Sequence, residues 1–194
     1  RTAIHIPFHR SFLFSLCCCD RHSFRKFQRF LCFLCSMKHE VVLHTKSVDE
    51  SMALGRFLGT ATVNDEFIAL SGDLGAGKTH CVQGSAAGMG ISGVIGSPTF
   101  TIMNYYEGAL PLKHFDFYRL HREEELYDIG WEEYSMGGVT VAEWADMFPD
   151  VVPPEAIHID IRVLSETERE IRITWSDAAP DASVMEITHY ASSH

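Results

Sequence analysis

Residues 72–79 read Gly-Asp-Leu-Gly-Ala-Gly-Lys-Thr, and this run constrains the chain more than any other. It follows Phe67-Ile-Ala-Leu70, a short unbroken apolar run of the kind that forms a strand buried on both faces. It opens Lys78 to Met89, whose pattern predicts a helix stopped by Gly88 and Gly90. Gly72, Gly75 and Gly77 let backbone N–H groups converge on phosphate oxygens without a Cβ in the way. Lys78 then offers a mobile cation to the β- and γ-phosphates, and Thr79 a hydroxyl for Mg²⁺. The helix dipole adds to the same anion site. Strand, loop and helix together imply a bound nucleoside triphosphate with Mg²⁺.

The rest of the chain predicts a mixed α/β order. Val41 to Thr45 is strand-like, and Ser47-Val-Asp-Glu50 has the form of a capping box opening a helix with Met52, Leu54, Phe57 and Leu58 on its apolar face. Phe100 to Met103 and Leu110 to Tyr118 read as an antiparallel pair around a Glu107-Gly108 turn. Glu123 to Tyr134 is acidic and helical in pattern, broken near Gly130, and Val139 to Ala142 is a second buried-strand run. Ala156 to Val163 and Glu170 to Trp175 alternate strictly, as a half-exposed antiparallel pair does. After Trp175 the chain turns polar and small, and residues 177–194 are expected to form a flexible tail.

Composition limits the partners. Taking the six bases and one acid of residues 1–36 from totals of 16 and 26 leaves ten bases and twenty-five acids, a net charge near −15. Such a body has no basic stripe for a row of phosphates, so RNA would have to be presented by a partner. Five of six cysteines also lie in residues 1–36, leaving Cys81 alone in the body and no disulfide framework there. Residues 1–36 are read as a leader or non-native upstream extension, disordered and outside the fold, since Met37 opens a stretch of different composition. Their Arg-, Ser- and Phe-rich, acid-poor character also fits an organellar transit peptide, the alternative to a cytoplasmic location. No stretch from Met37 onward approaches the roughly 18 apolar residues of a membrane span, so no membrane partner is expected.

A triphosphate site needs carboxylates to manage Mg²⁺ and water at strand ends beside the loop. Asp116, closing Leu-Lys-His-Phe-Asp, and Glu143, closing Val-Thr-Val-Ala-Glu, both fit, and either could equally be a strand-end acid facing solvent. His114 alternates in phase with Asp116 and so points to the same side. The acidic run Glu123-Glu124-Glu125 reads first as a solvated helix face.

Four segments taken together resemble the TsaE (YjeE) family: Gly72 to Thr79, Ser97-Pro98-Thr99-Phe100-Thr101, His114-Phe115-Asp116-Phe117-Tyr118-Arg119-Leu120, and Glu143-Trp144. They fall in the family's order and cover about residues 41–175. The resemblance implies an α/β fold, a P-loop NTPase-type three-layer sandwich with a mixed central sheet, over residues 37–176. It implies a Mg²⁺-dependent ATPase of the apparatus that makes N6-threonylcarbamoyladenosine in tRNA (t6A37), working with TsaD and TsaB proteins.

Carried over residue by residue, the nucleotide set is Asp73, Leu74, Gly75, Ala76, Gly77, Lys78, Thr79 and His80, with Arg169. The metal set is Thr79, Glu143 and Asp116: Thr79 with Glu143 would hold Mg²⁺, and Asp116 would orient the attacking water or a metal-bound water. Lys78, Thr99, Asp116 and Glu143 form the catalytic set, with Thr99 in a switch-like loop that senses the γ-phosphate. Thr99 can also be a plain strand-start threonine, Arg169 a surface ion-pair arginine, and Trp144 either core or a neighbour of the nucleotide. The chain departs from the family at His80, where many members have a second threonine, and at Ala145, where most have a nearby proline. A P-loop small-molecule kinase and a non-catalytic nucleotide-binding adaptor are the competing functions. Against the kinase, the body has only ten bases, none clustered, and so no Arg-rich lid of the kind such enzymes close over their phosphates.

Overall fold

The computed structural model describes residues 38–134 and 136–193. The readings made for residues 1–36 therefore lie outside the described residues. Seven strands form one sheet: β1 (Lys38–Thr45), β2 (Glu66–Ser71), β3 (Met103–Tyr106), β4 (Leu112–Asp116), β5 (Val139–Glu143), β6 (Ile157–Val163) and β7 (Arg169–Ser176). Their spatial order is β1-β7-β6-β2-β5-β4-β3. β2 lies between β5 and β6 and runs parallel to both, and β4 runs parallel to β5. β3 and β7 run the other way, which makes the sheet mixed. The carboxyl ends of β2, β5 and β4 consequently open side by side at one edge, where ligands of open α/β sheets bind.

Alternation along the buried strands fills both faces. Ile68 and Leu70 join Val139, Val141 and Ile159 under three helices, α1 (Val48–Ala61), α2 (Lys78–Gly88) and α5 (Asp181–Ser193), which contribute Leu54, Leu58, Val82, Ala86 and Ile187. Phe67, Ala69, Phe115 and Ala142 turn the other way. They pack under the short helices α3 (Glu124–Asp128) and α4 (Trp131–Tyr134), where the Trp131 ring meets Phe115 edge-on at 4.9 Å and Phe117 at 5.7 Å. The result is the three-layer arrangement expected.

The capping box forms with one change of partner. The Glu50 N–H donates to Ser47 Oγ at 3.1 Å, while the Glu50 carboxylate accepts at 2.7 Å from the N–H of Lys46, one residue before the cap. α1 then lies on α2 with glycine against backbone. A Cβ added at Gly55 or Gly59 of α1, or at Gly84 or Gly88 of α2, would overlap a backbone carbonyl oxygen of the other helix. This contact fixes the helix that begins at the phosphate loop directly onto its neighbour.

Two expectations are corrected. Phe100 to Ile102 is not strand: the N–H groups of Thr101 and Ile102 both turn back to the Pro98 carbonyl, at 2.9 and 2.6 Å, and β3 starts only at Met103. The expected flexible tail over residues 177–194 is also wrong, because Asp181–Ser193 is a helix docked on α1. Tyr190 stacks on Phe57 with centroids 4.2 Å apart, and Ser183 donates to the buried Glu66 carboxylate at 2.8 Å. Burial pushes the Glu66 carboxyl up, opposed by the Val63 N–H and the Ser183 hydroxyl. Ser183→Ala should therefore cost about 1–3 kcal/mol. The loss should be larger at pH above the Glu66 titration than below it, since the hydroxyl favours the charged form. Denaturant melts at the two pH values check this. Among the described residues no helix is long and apolar enough to cross a membrane.

Candidate functional site

β2 ends at Ser71, and the chain leaves the sheet through Gly72 at φ +127°. A Cβ there would overlap the Ile161 carbonyl of β6, so the loop can start this close to the sheet only with glycine. Gly77, at φ +108°, caps the start of α2, whose first backbone bond runs from the Cys81 N–H to the Gly77 carbonyl at 3.0 Å. The N–H groups of Lys78, Thr79 and His80 precede that bond and have no carbonyl within the helix to donate to. They face the loop as anion donors at a helix N-terminus. Asp73, Leu74 and Gly75 form the exposed crest of the loop, and Ala76 is buried beneath it.

Lys78 is buried, and its Nζ donates to the Gly72 carbonyl at 2.6 Å and the Asp73 carbonyl at 3.0 Å. The indole of Trp144 lies across it, with Nζ 3.7 Å from the ring centroid. Burial pulls the ammonium below its ordinary range, and Glu143, Asp116, Asp146 and Asp73 oppose that. Trp144 reaches this place from a left-handed backbone, φ +58°, directly after Glu143, and Tyr118 packs on its ring at 5.0 Å. A non-glycine residue in that region costs of order 1 kcal/mol or more, and such strain gathers at functional sites.

The two candidate acids stand opposite each other in the β4–β5 register, both almost fully buried. Thr79 Oγ1 donates to Glu143 Oε1 at 2.9 Å, with Oε2 at 3.3 Å. His114 Nε2 lies 2.8 Å from the same Oε1. Asp116 takes the Tyr118 N–H on Oδ1 at 2.9 Å, while its Oδ2 accepts from Ser97 Oγ at 3.1 Å and, in a short contact, from Thr99 Oγ1. The Ser97-Pro98-Thr99 turn is thereby fastened to Asp116. Lys78, Thr79 and Glu143 come together at the loop, and Asp116, with Thr99 bonded to it, stands on the strand end beside Glu143.

Arg169 and His80 occupy different positions. Arg169 Nε donates to the Ala76 carbonyl at 2.9 Å, and its Nη1 donates to the carbonyls of Ser165 and Glu168 at 3.0 Å. The guanidinium braces the loop from behind. His80 is exposed on the first turn of α2. Cys81 lies beneath the loop, where burial pushes its thiol up to about 12. It should be inert to thiol reagents in the folded chain and label only on unfolding, which a timed labelling assay with and without denaturant measures.

The oxygen donors suit Mg²⁺, a hard cation that takes one or two carboxylates together with substrate phosphates. No group of three or more His, Cys, Asp and Glu residues among the described residues could hold a metal ion. A metal here would depend on the phosphates as well as on Thr79 and Glu143. Sequence reasoning missed Ser97 as a partner of Asp116 and left His114 and Trp144 without assigned contacts. The in-phase spacing of His114 was the one signal available.

A glycine-rich turn between a central parallel strand and a helix, with acids on the neighbouring strand ends, is the architecture of the P-loop NTPase class. The family model described as "Threonylcarbamoyl adenosine biosynthesis protein TsaE" matches residues 45–171. The chain belongs to the TsaE family. The tRNA threonylcarbamoyladenosine biosynthesis protein TsaE of Bacillus subtilis (strain 168) is 40% identical over 132 residues, 67% of this chain and 82% of that protein. The protein of the same name from Treponema pallidum (strain Nichols) is 38% identical over 130 residues, 66% of this chain and 96% of that one. The crystal structure of Bacillus subtilis YdiB superposes with a TM-score of 0.66 at 32% identity, covering 81% of this chain and 97% of that one.

Proposed function

We propose that this chain is a Mg²⁺-dependent ATPase that serves tRNA N6-threonylcarbamoyladenosine synthesis, working with TsaD and TsaB proteins and meeting tRNA only through them. The observation that carries the reading is the Thr79–Glu143 contact at 2.9 Å, set beside Asp116 at the mouth of a phosphate loop in a TsaE-family chain. Lys78 would exchange the Gly72 and Asp73 carbonyls for phosphate oxygens, joined by the N–H donors at the start of α2. Thr79 and Glu143 would hold Mg²⁺, which when bound offsets charge on the β- and γ-phosphates.

Asp116 orients the attacking water by accepting its hydrogen bond. Its Oδ2 is shared with Thr99 and Ser97, so water can take that oxygen only as the turn gives it up. Hydrolysis is thus tied to the position of the Ser97-Pro98-Thr99 turn, and a partner that moves the turn would set the rate. The isolated chain should turn over slowly, and phosphate release should rise on adding TsaD and TsaB.

Complementation of a bacterial strain lacking its TsaE protein tests the reading. The full chain should rescue growth and tRNA modification, and Asp116→Ala should bind ATP without rescuing. Rescue by Asp116→Ala would leave ATP a structural ligand only.

A further inference from the structure

His114 is fully buried at 0% exposure, in the middle of a strand that also buries the apolar Leu112 and Phe115. Its Nδ1 has no hydrogen-bond partner. An unpartnered buried polar atom costs about 1–3 kcal/mol, so the imidazole's other nitrogen must supply what keeps the residue polar. That nitrogen, Nε2, lies 2.8 Å from Glu143 Oε1. An ionised carboxylate only accepts, so the hydrogen sits on Nε2 and the ring donates.

The sheet register explains the reach. Asp116 pairs with Glu143 and His114 with Val141, so all four side chains share one face, and the imidazole crosses diagonally to the acid two positions on. Glu143 Oε1 thus receives two donors, His114 from below and Thr79 from α2. With the hydroxyl alone the carboxylate could still turn about its own torsions. The fully buried ring, as a second donor to the same oxygen, restricts that freedom.

We propose that His114 is a positioning residue of the Mg²⁺ site, holding the Glu143 carboxylate in the orientation that meets Thr79 before nucleotide and metal arrive. This rests on the ATP and Mg²⁺ reading of the site given above. The chain would then bind Mg²⁺·ATP without first having to order its acidic ligand. An outer partner of this kind is commonly worth about 10- to 100-fold in metal affinity.

The test is titration of the full chain with a fluorescent ATP analogue, in EDTA and across a Mg²⁺ series. His114→Phe keeps the ring volume and cannot donate. His114→Gln carries an amide N–H near the Nε2 position, and His114→Asn carries one only near Nδ1. In His114→Phe the Mg²⁺ midpoint should rise about tenfold or more, with affinity in EDTA within about twofold of wild type. His114→Gln should return the midpoint to within about threefold. An unchanged midpoint in His114→Phe overturns the proposal, as does a loss in EDTA as large as the loss with Mg²⁺, which would indicate a packing role. Should the Phe variant not fold, the Gln and Asn variants decide: a lower midpoint in Gln supports the proposal, and equal midpoints overturn it. Wild type that binds no nucleotide in either condition refutes the ATP reading itself, a result distinct from all of these.

Discussion

Asp116→Asn should lower ATP hydrolysis by roughly 10²- to 10⁴-fold while ATP affinity stays within about threefold of wild type. The asymmetry follows from where the carboxylate sits. Asp116 closes β4, one strand beyond Glu143, and none of its hydrogen bonds goes to the phosphate loop. Its bonds go to Ser97, Thr99 and the Tyr118 N–H. An amide of the same shape keeps one accepting oxygen but loses the charge that would draw a water's hydrogen. The turn should stay in place and the chemistry should stop. Single-turnover phosphate release, read beside equilibrium nucleotide binding, separates the two effects. Equal losses in both would make Asp116 a binding residue instead.

Gly59→Leu should destabilise the fold by about 3 kcal/mol or more, at or beyond the upper end of ordinary overpacking. For a domain of this size that is a drop of about 6–12 °C in Tm. Here the neighbour is the Ser85 backbone of α2, which cannot rotate away as a side chain would. The milder Gly59→Ala gives a sharper check through its sign. Helix propensity alone predicts a gain of about 1 kcal/mol for replacing glycine by alanine inside a helix. The overlap with the Ser85 carbonyl predicts a loss. Since α2 begins at Lys78, separating the two helices should also weaken nucleotide binding. Calorimetric melts of the three proteins give both magnitudes and the sign.

The site was legible in the sequence where local chemistry dictates it. Glycines at 72, 75 and 77 follow a short apolar run that reads as a central strand, and Glu143 ends a second such run; Asp116 ends the mixed segment Leu-Lys-His-Phe-Asp, and only the family resemblance singled out the two acids. Strand ends that share an edge bring such residues together whatever the loops do. What stayed hidden depends on surfaces meeting in three dimensions. The four-residue spacing of Gly55 with Gly59, and of Gly84 with Gly88, is visible, but only the packed helices give it meaning. Residues after Trp175 looked too polar to fold, yet Ile187 and Tyr190 find α1 and the sheet waiting, and Ser183 meets a buried acid. The turn at Pro98 defeated a strand reading because the Thr101 and Ile102 N–H groups bond the Pro98 carbonyl instead of extending a ladder, while the Ser97 and Thr99 side chains bond Asp116. His114 was in phase with the site, but its acceptor lies on a strand twenty-nine residues away.

The proposed ATPase requires that the loop from Gly72 to Thr79 hold the phosphates of ATP with Mg²⁺. Calorimetric titration of the full chain with ATP and Mg²⁺ tests it most directly. One ATP should bind per chain, more weakly when Mg²⁺ is removed, and Lys78→Ala should abolish binding while leaving the melt of the protein intact. Absence of binding at millimolar ATP, or undiminished binding by Lys78→Ala, would rule out this role for the loop.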